Sequence, residues 1–416
     1  MISIFHFPFS IFRKFIFLIL FIAPFFGHAQ KMIHEGSWRG WLQLNDSTEL
    51  PFNFVCGFQG VTQTLTIRNG KERIVVDEII YDGDSVFIHF PFFDSEIRAF
   101  SDGHNIDGRF VNNMRIDKKI IPFKAKMFQD WRFTPKKEKP ALKMTGRWKI
   151  TFKEDDPIDA LGIGEFTQTG NYLEGTVLTP TGDHRYLEGT IQGRKIFLSA
   201  FDGSHAFLYT ATINPDSSLS GDFYSGIHWH QTWTAVRDAN IELPNPDTLT
   251  ILNPGFKQFS FSFPDTSGNK ISFPDKSFQN KIVIIQIMGT WCPNCLDESG
   301  FLAEYCSKNK TRGVEIIALD YERMDDFGKA KNNIARLQKR LNITYPILFA
   351  GTTSAENKKK SLPMLNHIMS FPTTIFIDKK GTVRRIHTGY NGPATGKHYE
   401  EFVADFNVFM DTLLKE

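Results

Sequence analysis

The stretch that most constrains this chain is an apolar run that ends four residues before a Cys-x-x-Cys pair. Ile282-Val283-Ile284-Ile285-Gln286-Ile287-Met288 has the character of a strand buried on both faces. Trp291-Cys292-Pro293-Asn294-Cys295 follows, and Leu296 to Cys306 then carries helical spacing. Two cysteines placed where a central strand becomes a helix have a defined chemistry. The first thiol sits over the helix N-terminus, where unpaired N–H groups and the macrodipole favour negative charge. Cys292 is therefore expected to ionise readily, and the thiolate is the nucleophile in thiol–disulfide exchange. Cys295, one turn on, is placed to attack the resulting mixed disulfide. Pro293 suits the first helical position, where its missing N–H has no partner to lose.

Metal ligation and a static disulfide are the competing readings. A structural zinc site needs four ligands, usually from two such pairs. The other cysteines, Cys56 and Cys306, do not form a second pair. A disulfide closing so short a loop adds little stability. Redox chemistry is the expectation, with no metal and no cofactor.

Residues from about Leu252 to Glu416 resemble the thioredoxin fold, and within it the TlpA/ResA-type envelope thiol–disulfide oxidoreductases. The match rests on Phe256 to Phe273 as strand, turn and strand, on Trp-Cys-x-x-Cys after the first buried strand, and on Glu298 six residues beyond Cys292. It continues through strands at Val314 to Tyr321 and Tyr345 to Ala350, a helix at roughly Asp325 to Leu341, and Phe371-Pro372-Thr373-Thr374-Ile375-Phe376-Ile377-Asp378 before a Lys379-Lys380-Gly381 turn. The resemblance implies a cis-proline at Pro372, with Phe371 offering its backbone to a substrate strand. Cis bonds are essentially confined to X–Pro, and a strand-opening proline is tolerable. Trp291 would shield the sulfurs. Tyr390, Asn391 and Gly392, in the loop before a helix starting near Lys397, are candidate substrate contacts.

One departure bears on mechanism. Many thioredoxins carry a buried aspartate six residues before the first cysteine; here Gln286 stands there and cannot take a proton. Glu298 could serve instead as a base towards Cys295, with burial raising its pKa. Asp297 reads as favourable charge in the first helical turns. Cys306 lies three turns beyond Cys295, roughly 16 Å away, outside the reach of about 7 Å that a disulfide allows. It reads as buried and inert; Cys56 reads as buried or free, and a Cys56–Cys306 pairing stays open.

Residues 1–29 read as a signal peptide. Arg13-Lys14 precedes the apolar run Phe15 to Phe26, and Gly27-His28-Ala29 predicts cleavage before Gln30, with an uncleaved anchor as the alternative. The run is short for a membrane span. Export to the periplasm or cell envelope fits a disulfide-permissive compartment.

Residues 30–237 read as all-β: alternating runs such as Thr62 to Ile67 and Ser85 to Phe90 are cut by glycine, aspartate and asparagine turns. Gly36-Ser37-Trp38 returns as Gly146-Arg147-Trp148, and Phe93-Asp94 as Phe201-Asp202. These repeats predict two small barrel or sandwich modules, 30–134 and 143–237, each buried core depending on neighbouring strands. Lysine- and proline-rich Thr134 to Lys143 would link them, and Ile241 to Pro254 would lead to an α/β thioredoxin-like domain at 252–416. His228 and His230 would share a strand face but lack a third ligand, so they read as structural. Lys358 to Lys360 read as a solvated loop.

A net charge of +2, with 48 basic and 46 acidic residues, gives nucleic-acid binding no support. The expected partners are protein disulfides, apocytochromes c among those the resemblance implies, and a membrane thiol donor. Thiol peroxidase activity and a binding protein with an accessory redox domain are the rival readings. The former wants an activating threonine and arginine that the residues adjoining Cys292 do not supply.

Overall fold

The computed structural model describes residues 32–309 and 311–416, so the signal-peptide reading of residues 1–29 lies outside the described residues. Nine strands open the described residues: β1 (Gly36–Asn45), β2 (Thr48–Gln59), β3 (Thr62–Asn69), β4 (Glu72–Val76), β5 (Glu78–Asp82), β6 (Ser85–His89), β7 (Ser95–Ser101), β8 (Asn105–Asn112) and β9 (Ile120–Met127). They form one antiparallel meander that curls until β9 pairs with β1, leaving only β4 and β5 unpaired with each other. A second meander runs through β10 (Gly146–Phe152), β11 (Leu161–Thr169), β12 (Tyr172–Thr179), β13 (Gly182–Asp183), β14 (Leu187–Gln192), β15 (Lys195–Phe201), β16 (Ala206–Ile213), β17 (Leu219–Ser225) and β18 (Trp229–Arg237). It closes fully: β18 returns to β10, while β12 links β11 to β14. Closure removes the exposed edges that long strands would otherwise present.

The repeated Gly-x-Trp is one structural device used twice. Gly36 and Gly146 open their barrels with φ of 132° and 120°, a region that glycine alone enters cheaply. Trp38 and Trp148 are buried, and each indole N–H donates to the carbonyl four residues earlier, of His34 at 3.0 Å and Met144 at 2.9 Å. The two barrels are not beads on a flexible string. Phe201 inserts into the first barrel's core, its ring 4.5 Å from Phe52 and 5.1 Å from Phe110. Arg132, buried between them, donates to the Ser199 carbonyl at 3.0 Å and to Glu188 at 3.0 Å. The expected linker is itself tied down, with Glu138 bonded to Gln192 and Asn171.

A short hairpin, β19 (Phe261–Pro264) and β20 (Lys270–Phe273), leads into the last domain. There follow β21 (Ile282–Met288), α1 (Pro293–Asn309), β22 (Val314–Glu322), α2 (Phe327–Leu341), β23 (Ile347–Thr352), α3 (Ala355–Ser361), β24 (Thr373–Ile377), β25 (Val383–Thr388) and α4 (Lys397–Lys415). The sheet order is β23-β22-β21-β24-β25, with β24 antiparallel to β21. All seven residues of β21 are buried between two apolar layers, as its composition demands. The lysines expected in a loop lie in α3 instead, because Ser354 caps that helix through the Asn357 N–H. The Ile241 to Pro254 segment is also anchored: Asp247 meets His387 at 2.8 Å and Arg385 at 3.4 Å. Cys56 is a buried free thiol in the first barrel's core, whereas Cys306, expected to be buried, is a free thiol only half-buried against the redox domain's core.

Candidate functional site

The buried strand β21 delivers the motif to the start of α1, which begins at Pro293. Cys292 is 6% exposed and Cys295 fully buried, both as thiols. The Cys295 N–H donates to Cys292 Sγ at 3.2 Å, as expected of a sulfur seated on a helix N-terminus. The Cys292 thiol donates to the Phe371 carbonyl at 3.3 Å, and the Phe371–Pro372 peptide is cis. Trp291 anchors its indole N–H on the Tyr321 carbonyl at 2.9 Å and packs edge-on to Phe371, ring centroids 5.5 Å apart.

Behind the thiols lies a small polar pocket. Glu298, 2% exposed, accepts from Thr374 Oγ1 at 2.7 Å and from Gln286 Nε2 at 2.8 Å. Gln286 is fixed in turn by the Ser299 hydroxyl at 3.0 Å. Burial pushes the Glu298 carboxyl up to about 7, against the pull of its two donors. Burial also pushes Cys295 well above the ordinary thiol range, and the charges of Cys292 and Glu298 add to that rise. Gln286 thus positions a carboxylate rather than replacing one.

The opposite face of the motif is covered by the second barrel. Asn294 donates to the Asp183 carbonyl at 3.0 Å, Arg185 donates to the Pro293 carbonyl at 2.9 Å, and the Ser204 hydroxyl donates to the Trp291 carbonyl at 2.7 Å. The cis-proline loop is held too, Ser370 Oγ donating to the Thr181 carbonyl at 2.6 Å. Asp297, expected only as favourable charge in the first helical turns, is part of a buried ion-pair network. It lies against Arg185 at 2.7 Å, and Arg185 also meets Glu72 at 2.5 Å and Asp202 at 3.8 Å. One guanidinium cannot neutralise so many buried carboxylates. Burial accordingly pushes Asp202 up to about 6 and Asp297 to about 7, and raises Asp183 as well.

Tyr390 departs from its expected place as an open substrate contact. It is turned inward against Phe402, centroids 5.1 Å apart, while the Gly392 N–H donates to Asp183. In this arrangement the Tyr390–Gly392 loop meets the barrel. His228 and His230 do not converge either: His228 precedes β18 and bonds Ser225, whereas His230 bonds Asp222. Sequence reasoning missed Asp183, Arg185, Ser204 and Arg323. Arg323 stacks on Trp291, 4.3 Å from the ring centroid. Charged residues in turns carry no local sign of such a role.

A model of the AhpC/TSA family matches residues 254–386. The thiol-disulfide oxidoreductase ResA of Bacillus thuringiensis subsp. konkukian (strain 97-27) is 31% identical over 144 residues, 35% of this chain and 73% of that protein. The chain belongs to this thiol–disulfide oxidoreductase family. ResA of Geobacillus kaustophilus (strain HTA426) is 30% identical over 129 residues, 31% of this chain and 66% of that protein. The crystal structure of a thioredoxin-family thiol:disulfide interchange protein from Chlorobium tepidum TLS aligns at 22% identity and a TM-score of 0.30, over 38% of this chain and 95% of that one. The family match takes in Cys292, Cys295, Glu298, Phe371 and Pro372 and ends before Tyr390. Both barrels, and with them every residue that covers the motif from outside, lie beyond it.

Proposed function

We propose that this chain is an exported reductase of protein disulfides, working through Cys292 and Cys295. The observation that carries the reading is the asymmetry of the pair. Cys292 Sγ, 6% exposed, takes an N–H at the helix start, whereas Cys295 is fully buried beside a carboxylate that two neutral donors hold. The Cys292 thiolate attacks a substrate disulfide, forming a mixed disulfide and expelling one substrate thiolate, which takes a proton from water. Cys295 gives its proton towards Glu298 and attacks Cys292 Sγ, so that the intramolecular disulfide forms and the second substrate thiolate leaves. Two electrons pass to the substrate, and a thiol donor at the membrane must return them. A Glu298 value near 7 matches a base working at neutral pH. Export rests on the pattern of residues 13–29.

The test is the reduction potential of the pair, measured by equilibration with dithiothreitol or glutathione and alkylation of free thiols. A value near about −270 mV supports a reductase, and one near roughly −120 mV makes the protein an oxidant. Failure of the pair to form a disulfide at all sinks the assignment. Peroxide chemistry is the second reading, favoured by the AhpC/TSA match. Peroxide consumption by a Cys295→Ser variant would select it.

A further inference from the structure

The chain between β12 and β14 first doubles back as a tight hairpin, Leu178 pairing with Asp183 and Thr179 with Gly182. Its successive carbonyls alternate in direction. Those of Thr181 and Asp183 face the redox domain, accepting from Ser370 Oγ at 2.6 Å and from Asn294 Nδ2 at 3.0 Å. The Gly182 carbonyl between them turns back and accepts from Thr179 Oγ1 at 2.7 Å. Both redox-domain donors flank the nucleophile. Asn294 lies between the two cysteines, and Ser370 precedes Phe371, whose carbonyl accepts from the Cys292 thiol. Residues 389–392 close a third side. The Gly392 N–H donates to Asp183 Oδ2 at 2.8 Å, and a Cβ at Gly389 would lie 3.1 Å from the Pro180 carbonyl oxygen. So close a seat depends on glycine in the hairpin as well: Gly182 has φ of 134°, and a Cβ there would lie 2.3 Å from Asn294 Nδ2. Residues 180–183 are Pro-Thr-Gly-Asp, so the segment sits on the motif with no thiol that could react there.

The fit is incomplete at one atom. Asn294 is 7% exposed, yet its Oδ1 is buried with no donor among the described residues. Buried amide oxygens are ordinarily hydrogen-bonded. A side-chain amide can pair with a backbone carbonyl and a backbone N–H together, but the hairpin brings it a carbonyl alone. An extended peptide carries both groups and binds largely through them. Lying in the hairpin's place, it would satisfy Ser370 Oγ and both ends of the Asn294 amide, so neither buried donor is stranded by the exchange. The contact also yields without opening a core. Hydrogen bonds and the Arg185 ion pairs make it, whereas the two barrels are joined to each other by the aromatic packing of Phe201.

We propose that residues 181–183 are an internal placeholder in a peptide-docking groove, and that a protein disulfide binds by displacing them, its extended backbone pairing with Ser370 and Asn294. The inference rests on the exchange activity proposed above and deepens it, since it names what is recognised: the backbone of an extended segment beside the reacting cysteine, rather than any one side chain. The barrel half acts here as a selector. A small disulfide has no backbone with which to replace the placeholder's hydrogen bonds, and a peptide does.

The test traps substrate on the full chain. A Cys295→Ser variant is reacted with the disulfide-linked dimer of an uncharged peptide of about nine residues, the length of an ordinary strand, with cysteine at its centre. Cys292 Sγ takes one half, and the other half leaves as a thiolate that takes a proton from water. The same variant reacted with 2-hydroxyethyl disulfide gives the small adduct. Amide hydrogen exchange is then followed in the segment that contains Gly392, whose N–H the seated hairpin holds. Gly392 should exchange about tenfold or more faster in the peptide adduct than in the small one. Equal, slow exchange in both adducts overturns the proposal, because the hairpin would then stay seated with substrate on the sulfur. Gly182→Ala supplies the reverse test, since it wedges the hairpin off Asn294. A placeholder competes with binding and not with chemistry. The peptide concentration that half-saturates mixed-disulfide formation should therefore fall about tenfold or more, with the limiting rate within about twofold of wild type. A changed limiting rate at an unchanged half-saturating concentration overturns the competition. Should Gly182→Ala fail to fold, the comparison of the two adducts decides alone. No adduct with either disulfide, in protein with a native unfolding curve, would overturn the exchange activity and the docking that rests on it.

Discussion

Asp297 and Glu298 are adjacent on α1 and face opposite ways, and burial pushes both carboxyls up to about 7. Their surroundings differ in kind. Glu298 points into the domain, where Thr374 and Gln286 hold it. Asp297 points at the barrel and shares Arg185 with Glu72 and Asp202. The first is a lone acid poised to trade a proton with a thiol; the second belongs to a clamp whose negative charge exceeds its positive charge. Equal shifts therefore carry different roles, and the neighbours decide which.

The clamp is where the comparison breaks most violently. Arg185→Ala leaves Glu72, Asp202 and Asp297 buried without their shared cation, and such losses cost about 3–5 kcal/mol. The urea midpoint should fall accordingly at pH 7, and the deficit should shrink at pH 5, where Asp297 and Asp202 hold protons. An unchanged midpoint at pH 7 would mean that barrel and redox domain do not rest on this network.

Glu298→Gln tests the other side. Resolution of a mixed disulfide on Cys292, followed by release of a coloured thiol, should slow about a hundredfold at pH 7, within the range a positioned base supplies. The wild-type inflection near pH 7 should vanish. Stability adds an independent sign. The folded value, about 7, lies above the ordinary 4.5, so the native state keeps a proton that the unfolded chain releases between them. That contribution is complete below about 4.5 and is lost as pH rises through 7, and Glu298→Gln should remove this slope. A variant with wild-type resolution and slope would strip Glu298 of its role.

The inner side of this comparison was legible in sequence and the outer side was not. Cys292, Cys295 and Glu298 are ordered by one strand and the helix after it, so chain order alone places them. Pro372 was legible because cis bonds favour proline. Alternation in the first half announced strands, and the recurring Gly-x-Trp announced two modules. Nothing local announced that Phe201 would enter the other module's core. Arg185 meets Asp297 across 112 residues, and an arginine in a turn reads as a solvated charge until the fold buries it. The same limit made Asp297 look like a helix-dipole charge and Lys358 to Lys360 look like a loop, although Ser354 carried the cap signal.

The smallest predicted effect separates cover from clamp. Ser204 donates to the Trp291 carbonyl at 2.7 Å, one residue from the nucleophile, and belongs to no ion pair. Ser204→Ala removes one neutral hydrogen bond, about 1 kcal/mol, with little effect on global unfolding. If the barrel must lift from the motif before a reagent reaches Cys292, this loss shifts the opening equilibrium about fivefold. Alkylation of Cys292 by iodoacetamide, a neutral reagent, should then accelerate by the same factor. Because Ser204 does not titrate, the change would be the same at pH 6 and pH 8, unlike any change passing through Asp297. An unaltered alkylation rate would mean that Cys292 is reached without opening, so that the barrel forms a fixed wall of the site rather than its lid.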